Sequence, residues 1–179
     1  MNRTWTKDNY LISTDPARIP IPDLNAFFAS DLMYWASPVP DEVMRETLEN
    51  SLCFGLYENS PDAAPSESRL VGFARGITDF TTFLYLTDVY VEPAHQKKGL
   101  GAWLIGCVQE VIEEMPWLRR SMLFTYDWKR GVPFYEKLME MEVMEYKKPE
   151  EGGQGHGVAV MQYKGPAFPG AHVFAGALR

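Results

Sequence analysis

The stretch "VEPAHQKKGLGAWLIGCVQEVI", residues 91–112, joins the end of an apolar run, a proline, a basic glycine-rich turn and an amphipathic segment. The first amides of a helix lack intrahelical partners, and the helix dipole adds positive charge at that end. Gly99 and Gly101 let a bulky anion approach the backbone because no Cβ stands in the way. Residues 96–101, the glycine turn, therefore predict a phosphate site, with a turn that binds nothing as the alternative.

The residues that follow the glycine turn predict a helix over 99–115. Apolar side chains recur there at three- and four-residue steps, at Leu100, Trp103, Leu104, Cys107, Val108, Val111, Ile112 and Met115. Apolar runs at 82–92 and 121–127 predict a strand on either side. Two strands joined through a helix indicate a βαβ unit within a mixed sheet.

The rest of the chain predicts a mixed α/β fold with about six to seven strands in a central sheet. The other predicted strands are 10–14, 52–58, 69–78, 142–146 and 158–163, and the other predicted helices are 21–35, 40–51 and a short one that opens near Gly131 and carries "FYEKLM". No repeat or linker interrupts this pattern. We expect one domain over 1–179, with a core at about 9–163 and an irregular tail at 164–179.

Composition excludes several classes of protein. The net charge of −7 argues against broad nucleic-acid binding. The longest apolar runs are too short to cross a bilayer, and the N-terminus lacks the apolar core of a signal peptide. Two cysteines, Cys53 and Cys107, do not form a disulfide framework. A reducing, cytoplasmic setting is therefore expected, with no membrane partner.

Two motifs resemble those of the GCN5-related N-acetyltransferases. "VYVEPAHQKKGLG" resembles the family's V-x-V-x-P-x-x-[QR]-x-x-G-x-[GA], and it matches at Val89, Val91, Pro93, Gln96, Gly99 and Gly101. "VPFYEKLM" (132–139) resembles the family's "FYEKLGF". The resemblance covers roughly residues 9–163. Within the family, the chain looks most like small bacterial and fungal members with poorly defined substrates.

The resemblance implies a sheet that is splayed beside the motif strand, with helices on both faces, and acetyl-CoA as co-substrate. Freed backbone groups of Val89, Tyr90 and Val91 would pair with the pantetheine arm, as a peptide pairs with a sheet edge. The pyrophosphate would lie on the glycine turn, whose expected cofactor-binding residues are Gln96, Lys97, Lys98, Gly99, Leu100 and Gly101.

The resemblance also implies direct attack of an amine on the acetyl carbonyl, with no acyl-enzyme. The family tyrosine that matches Tyr135 would protonate the leaving thiolate, and the amide of Val89 would stabilise the developing oxyanion. Asp88 is the first candidate for the base, and Glu92 and Asp79 are alternatives. Asp88 could instead be a structural carboxylate, and Tyr135 a core aromatic residue.

The acceptor site is expected near the end of the first helix, at Asp31, Tyr34 and Trp35, although the two aromatic residues could simply pack in the core. The expected acceptor is a primary amine of a small molecule. A protein N-terminus or lysine is the second interpretation, and a non-catalytic acyl-CoA sensor the third. The protein is expected to be a monomer or a homodimer.

The remaining reactive side chains carry weaker signals. Cys53 and Cys107 are interpreted as buried apolar residues. The three histidines, His95, His156 and His172, show no metal-ligand spacing, so no metal is expected. We expect His95, which precedes the glycine turn, to be solvated at the surface, with a contact to the cofactor as the alternative.

The chain departs from the family pattern at three positions. Met139 and Glu140 occupy the places of the family's glycine and its neighbour after "YEKL". Gly131 stands where an asparagine is often found. The turn after the short helix is therefore expected to differ, and one cofactor contact to be lost.

Overall fold

The computed structural model describes residues 2–33, 35–59, 68–146 and 159–164. Its helices are α1 (Ile21–Phe28), α2 (Asp41–Glu49), α3 (Leu100–Glu113) and α4 (Gly131–Met139). Its strands are β1 (Thr4–Lys7), β2 (Tyr10–Ser13), β3 (Leu52–Glu58), β4 (Arg69–Thr78), β5 (Phe83–Val91), β6 (Arg120–Thr125), β7 (Glu142–Tyr146) and β8 (Ala159–Lys164). The predicted mixed α/β class is confirmed, with eight strands among the described residues rather than six to seven.

The described residues divide into two compact units, one within 1–77 and 88–107 and the other within 78–87 and 108–179. In the first unit, β1, β2, β3 and β4 follow one another as an antiparallel ribbon. Its core is formed by α1, α2 and one face of the ribbon. One cluster of buried side chains there is Ile19, Leu24, Phe27, Phe28, Met33, Met44, Leu48, Cys53, Tyr57, Leu70, Phe73 and Tyr90.

In the second unit, the first part of β5 pairs with β6 in parallel, and β6, β8 and β7 then pair antiparallel in that order. The parallel pair is joined through α3, which confirms the predicted βαβ unit. The β5–β6 register runs only from Phe83↔Arg120 to Tyr85↔Met122, although β5 continues to Val91. The pairing therefore stops well before β5 ends, as expected for a splayed sheet.

One predicted helix was too long, and one strand was not predicted. Helix α1 ends at Phe28, not at residue 35, because Ser30 begins a local turn: its hydroxyl accepts from the amide of Leu32 at 3.3 Å. Such side-chain-to-backbone bonds compete with helix continuation. Strand β1 was not predicted, since "TWTK" is a four-residue edge strand with one half-buried apolar residue, Trp5.

The turn after α4 contains one residue in the left-handed conformation, although the chain lacks the family's glycine there. Glu140 caps the helix at φ 50°, a region that costs a non-glycine residue some strain. The αL residue therefore follows Met139 rather than occupying the position where the family glycine stands. Within the part of the chain that the structure describes, no helix has the length and hydropathy needed to cross a membrane. The single-domain organisation stays a prediction, and the tail beyond residue 164 lies outside the described residues.

Candidate functional site

The glycine turn has the backbone of an anion site. Lys97 and Gly99 both have positive φ, at 62° and 77°, so their amides point differently from those of a regular helix. The first α3 hydrogen bond runs from the amide of Trp103 to the carbonyl of Gly99 at 3.0 Å. The amides of residues 100–102 therefore have no helical carbonyl to bind. Consecutive unpaired amides at a helix start favour an anion there.

The two glycines of the turn leave open space. A Cβ built at Gly99 meets nothing within 4 Å, and one at Gly101 meets only Val91 Cγ2 at 3.9 Å. Internal packing therefore does not require a glycine at either position. Gly99 still needs glycine for its positive φ, while Gly101 has no such need. The space beside Gly101 is free for an external group.

The side chains of the glycine turn are of two kinds: some hold the turn in place, and the lysines are exposed. The amide of Gln96 donates to the carbonyl of Val91 at 2.8 Å, which closes the turn onto the end of β5. Leu100 is buried and fixes the first turn of α3. Lys97 and Lys98 are both exposed, so their charges lie at the rim. Gln96 thus holds the turn in shape in addition to any role toward a ligand.

Strand β5 changes conformation at Asp88, which has φ 53° within the strand. Val89 and Val91 are half-buried, and Tyr90 is buried with its ring 4.6 Å from that of Phe27. The side chain of Tyr90 is therefore a core residue, and only its backbone could contact a cofactor. The predicted roles of residues 89–91 are backbone roles, so this packing is compatible with them.

Asp88 is a buried carboxylate with both oxygens engaged. Oδ2 accepts from Nε of Arg75 at 2.7 Å, and Oδ1 accepts from the indole Nε1 of Trp35 at 3.3 Å. Arg75 is anchored in turn, because its Nη1 donates to Ser51 Oγ at 3.2 Å. We refer to Ser51, Arg75, Asp88 and Trp35 as the Asp88 network. The structure thus brings one predicted acceptor residue, Trp35, onto the first predicted base.

The two alternative bases have other functions in the fold. Asp79 accepts hydrogen bonds from the hydroxyl and amide of Thr82 and the amide of Thr81, which hold the pKa of its carboxyl well below its usual range. A low pKa is the opposite of what a base near neutral pH requires. Glu92 forms an ion pair with Arg69 and approaches His95 Nδ1 at 3.2 Å. Both carboxylates are therefore committed to local structure.

Tyr135 lies in α4, in the second unit, and is half-buried with its ring 5.2 Å from that of Phe134. Its hydroxyl has no hydrogen-bond partner among the described residues. Burial raises the pKa of Tyr135 to about 12. The hydroxyl therefore keeps its proton at neutral pH, as a proton donor must.

Among the residues that the structure describes, Trp35 is the predicted acceptor residue that contacts Asp88. Asp31 is exposed in the turn that follows α1. Tyr34 lies outside the described residues. Trp35 is 45% exposed, so it is not the packed core aromatic of the alternative interpretation. Its role as an acceptor-binding residue stays a prediction.

The sequence interpretation missed Arg75 and Ser51. Arg75 is the one charged residue within the otherwise apolar "LVGFARGI" of β4, at residues 70–77. A charged residue that is buried in such a strand needs a partner of opposite charge. The position of Arg75 in the sequence could therefore have indicated a buried ion pair. Ser51 carries no comparable signal, because its contact with Arg75 depends on the β3–β4 pairing.

The prediction for His95 was wrong, and the prediction for the cysteines is confirmed. His95 is buried, with Nε2 3.2 Å from Glu58 Oε2. Desolvation alone would raise the pKa of the Glu58 carboxyl. Hydrogen bonds from His95 and Tyr10 hold that pKa below its usual range. Cys53 and Cys107 are buried free thiols. Burial raises the pKa of Cys53 to about 12, so its thiol is not a nucleophile near neutral pH.

Metal chemistry has no support in the residues that the structure describes. They contain no group of three or more histidine, cysteine or carboxylate side chains that could hold a metal ion. His156 and His172 lie outside these residues.

Comparisons with known proteins agree with the motifs. A protein from Gibberella zeae named as a putative acetyltransferase is 40% identical over 135 residues, which cover 70% of this chain and 76% of that protein. The crystal structure of a putative acetyltransferase of the GNAT family from Xanthomonas campestris is 30% identical, with a TM-score of 0.58 over 73% of this chain and 84% of the other. A GNAT acetyltransferase from Elizabethkingia anophelis with acetyl-CoA bound shares the fold at 15% identity, with a TM-score of 0.57 over 88% and 99% of the two chains.

The family model described as "Acetyltransferase (GNAT) family" matches residues 24–141, a span that includes the greater part of α1, the Asp88 network, the glycine turn and Tyr135. This match covers more than half of the chain, and the 40% identical relative supports it independently. The chain belongs to the acetyltransferase (GNAT) family and is an acyltransferase of the N-acetyltransferase type.

Proposed function

We propose that the protein transfers an acetyl group from acetyl-CoA directly to the primary amine of a small molecule. The glycine turn carries the proposal: it combines consecutive helix-start amides with open space beside Gly101 and two exposed lysines. This arrangement suits a pyrophosphate better than an uncharged ligand. Acetyl-CoA is the ligand of the Elizabethkingia enzyme, which shares the fold.

The cofactor would be held mainly by backbone groups. The amides of the glycine turn, from Gln96 to Gly101, would donate to the pyrophosphate, and Lys97 and Lys98 would add charge at its rim. The pantetheine would pair with the backbone of residues 89–91. This pairing is supported by the early end of the β5–β6 register at Tyr85↔Met122, which leaves the later part of β5 without β6 partners in that register.

Acetyl-CoA supplies a thioester whose carbonyl carbon accepts the amine. The hydroxyl of Tyr135 would give its proton to the leaving sulfur, and its pKa of about 12 keeps that proton on the hydroxyl at neutral pH. The amide of Val89 would donate to the carbonyl oxygen as negative charge develops there. These roles need one protonated side chain and one backbone amide, with no covalent enzyme intermediate.

Asp88 would accept the proton of the acceptor amine, directly or through water. The hydrogen bonds that it accepts from Arg75 and Trp35 are unequal: the contact of Oδ2 with Arg75 is 2.7 Å, and that of Oδ1 with Trp35 is 3.3 Å. The longer contact is the one that an ammonium could replace. The exposed ring of Trp35 would face the same ammonium, and the carboxylate of Asp31 would add negative charge near it.

A screen for acceptors tests the proposal. Purified protein and acetyl-CoA are incubated with a library of small amines and with peptides that carry free N-termini or lysines, and thiol release is followed. Release with one chemical class of small amine, lost in Tyr135→Phe, is the expected result. Release with peptides alone would replace the small-molecule acceptor by a protein. Acetyl-CoA binding without release for any amine would favour the sensor interpretation.

A further inference from the structure

Strand β4 contains two arginines that pair with carboxylates, one with Asp88 in β5 and one with Glu92 directly after β5, and the two pairs differ in burial. Arg69 binds Glu92 with its side chain 58% exposed, whereas Arg75 binds Asp88 with its side chain 17% exposed. Burying a guanidinium and a carboxylate is costly unless geometry and further hydrogen bonds compensate for the lost water. A buried pair is therefore weak evidence for stability, which leads to the question of what else the contacts of Arg75 do.

The Asp88 network is a single chain of contacts through four segments of the first unit. Ser51 lies between α2 and β3, Arg75 in β4, Asp88 in β5 and Trp35 after α1. The contacts run from Ser51 to Arg75 at 3.2 Å, from Arg75 to Asp88 at 2.7 Å and from Asp88 to Trp35 at 3.3 Å. Arg75 is thus held at one end by Ser51 and holds Asp88 at the other.

The backbone of Asp88 gives the network a second purpose. Asp88 has φ 53°, a left-handed conformation inside a strand. Such a residue persists only where its surroundings hold it in place. A side chain that leaves a strand at an irregular angle needs an external contact to fix its direction. The short bond from Arg75 Nε to Oδ2 provides that contact.

We infer that Arg75 is a positioning residue for acetyl transfer: it fixes Oδ2 of Asp88 and thereby aims Oδ1 at the indole of Trp35, where the acceptor amine binds. This inference rests on the proposed function for the role of Asp88. Arg75 itself contacts no reacting atom. Its two-point hold depends on a planar guanidinium, because Nε and Nη1 donate to different residues at the same time.

The first test measures position without any activity. The chain has five tryptophans, so a ¹⁵N–¹H spectrum has five indole signals, and Trp35→Phe assigns that of Trp35. We expect Arg75→Met to move the Trp35 signal and Arg69→Met, the matched change on β4, to leave it unchanged. An unmoved signal in a folded Arg75→Met variant would overturn the inference, whether or not the protein is active on any amine.

The second test measures whether the position matters for the reaction. A misplacement of about 1 Å costs on the order of 10²-fold in rate, so we expect Arg75→Met to lower kcat/KM for the acceptor by roughly 10- to 100-fold with the KM for acetyl-CoA unchanged. Arg75→Lys keeps the charge and loses the two-point hold, so it should fall between the parent and Arg75→Met. If Arg75→Met does not fold, Arg75→Lys carries the test, with an expected loss of several-fold.

The third test asks whether Arg75 acts through Asp88. If it does, the double variant Arg75→Met/Asp88→Asn is no slower than Asp88→Asn alone, because the group that Arg75 positions is already gone. Losses that multiply would show that Arg75 acts independently of Asp88 and would overturn the inference. Failure of the proposed function would look different: the parent itself would release no thiol, while the indole signal would still report on Arg75.

Discussion

The glycine turn lies shortly after Asp88 in sequence, yet the turn and the Asp88 network are built in opposite ways. The turn presents backbone amides and exposed lysines with space beside them. In the network, both oxygens of a buried carboxylate are engaged by side chains from distant segments. A site made of backbone is determined by local sequence, whereas a site made of side chains depends on long-range pairing.

This contrast assigns different tasks to the two regions. The turn would bind the cofactor and have no effect on which acceptor is used. The network would select the acceptor and have no effect on cofactor affinity. Tyr135, in the second unit, would serve the chemical step. Variants that separate cofactor affinity, acceptor specificity and turnover therefore test the division directly.

The largest effect is expected for Tyr135→Phe, which removes one hydroxyl and leaves the ring. If this hydroxyl protonates the leaving thiolate, turnover should fall by about 10²–10⁴, with acetyl-CoA affinity unchanged. The exposed Tyr126, changed to phenylalanine, is the matched control and should keep its activity. Steady-state kinetics measures both, and near-parent turnover in Tyr135→Phe would return Tyr135 to a packing role.

The pH dependence sharpens the same assignment. The pKa of Tyr135 is raised to about 12, so the proton donor stays protonated up to that pH. We therefore expect no loss of turnover from Tyr135 between pH 7 and about pH 10. A fall in that range that disappears in Tyr135→Phe would mean that the hydroxyl loses its proton much earlier than its burial implies.

The second effect compares the stability of the two β4 arginine pairs. Arg75→Met leaves Asp88 as a buried carboxylate without its cation, which typically costs about 3–5 kcal/mol in free energy of unfolding. Arg69→Met removes a largely exposed partner and should cost less than about 1 kcal/mol. Urea titration of both variants measures the difference. Equal losses would show that the Asp88 network has no special burial cost.

The third effect separates the two glycines of α3 that have open space around them. Gly101→Val places a branched side chain where the pyrophosphate would approach, and we expect acetyl-CoA affinity to fall by roughly 10-fold or more. Gly106→Val is the matched control, since a Cβ at Gly106 meets nothing within 4 Å and the residue lies in the same helix. Calorimetric titration measures both variants. Equal affinities would move the anion site away from the turn.

The smallest effect concerns the exposed lysines of the turn. Lys97→Ala and Lys98→Ala should each weaken acetyl-CoA binding by roughly two- to fivefold at low salt, and less at high salt, because exposed charges are screened. The affinity is measured at two ionic strengths. A much larger, salt-independent loss would mean that a lysine contacts the phosphate in a desolvated position.

The contrast also explains how much could be predicted from sequence. The glycine turn, α3 and the flanking strands were predicted because their signals are local: helical spacing, a proline and glycines at fixed offsets. Arg75 and Ser51 were missed because their contacts join residues 24 apart, and Arg75 and Asp88 are 13 apart. No local pattern reports such a pairing.

The wrong predictions for the end of α1 and for the exposure of His95 have related causes. The helical spacing continues past Phe28 to Met33, but the hydroxyl of Ser30 ends the helix by accepting from a backbone amide. His95 follows a proline in a polar segment and reads as exposed, yet Glu58 from β3 covers it. In both cases the structure contains a polar contact that the pattern of hydrophobicity does not report.

The central claim is that the backbone of the glycine turn binds the pyrophosphate of acetyl-CoA. Calorimetric titration of the unmodified protein with acetyl-CoA, its 3′-dephospho form and acetylpantetheine, which lacks the pyrophosphate, tests it most directly. We predict a modest loss of affinity without the 3′-phosphate and a much larger loss without the pyrophosphate. Acetylpantetheine that binds as tightly as acetyl-CoA, or no binding of acetyl-CoA at millimolar concentration, would contradict the claim.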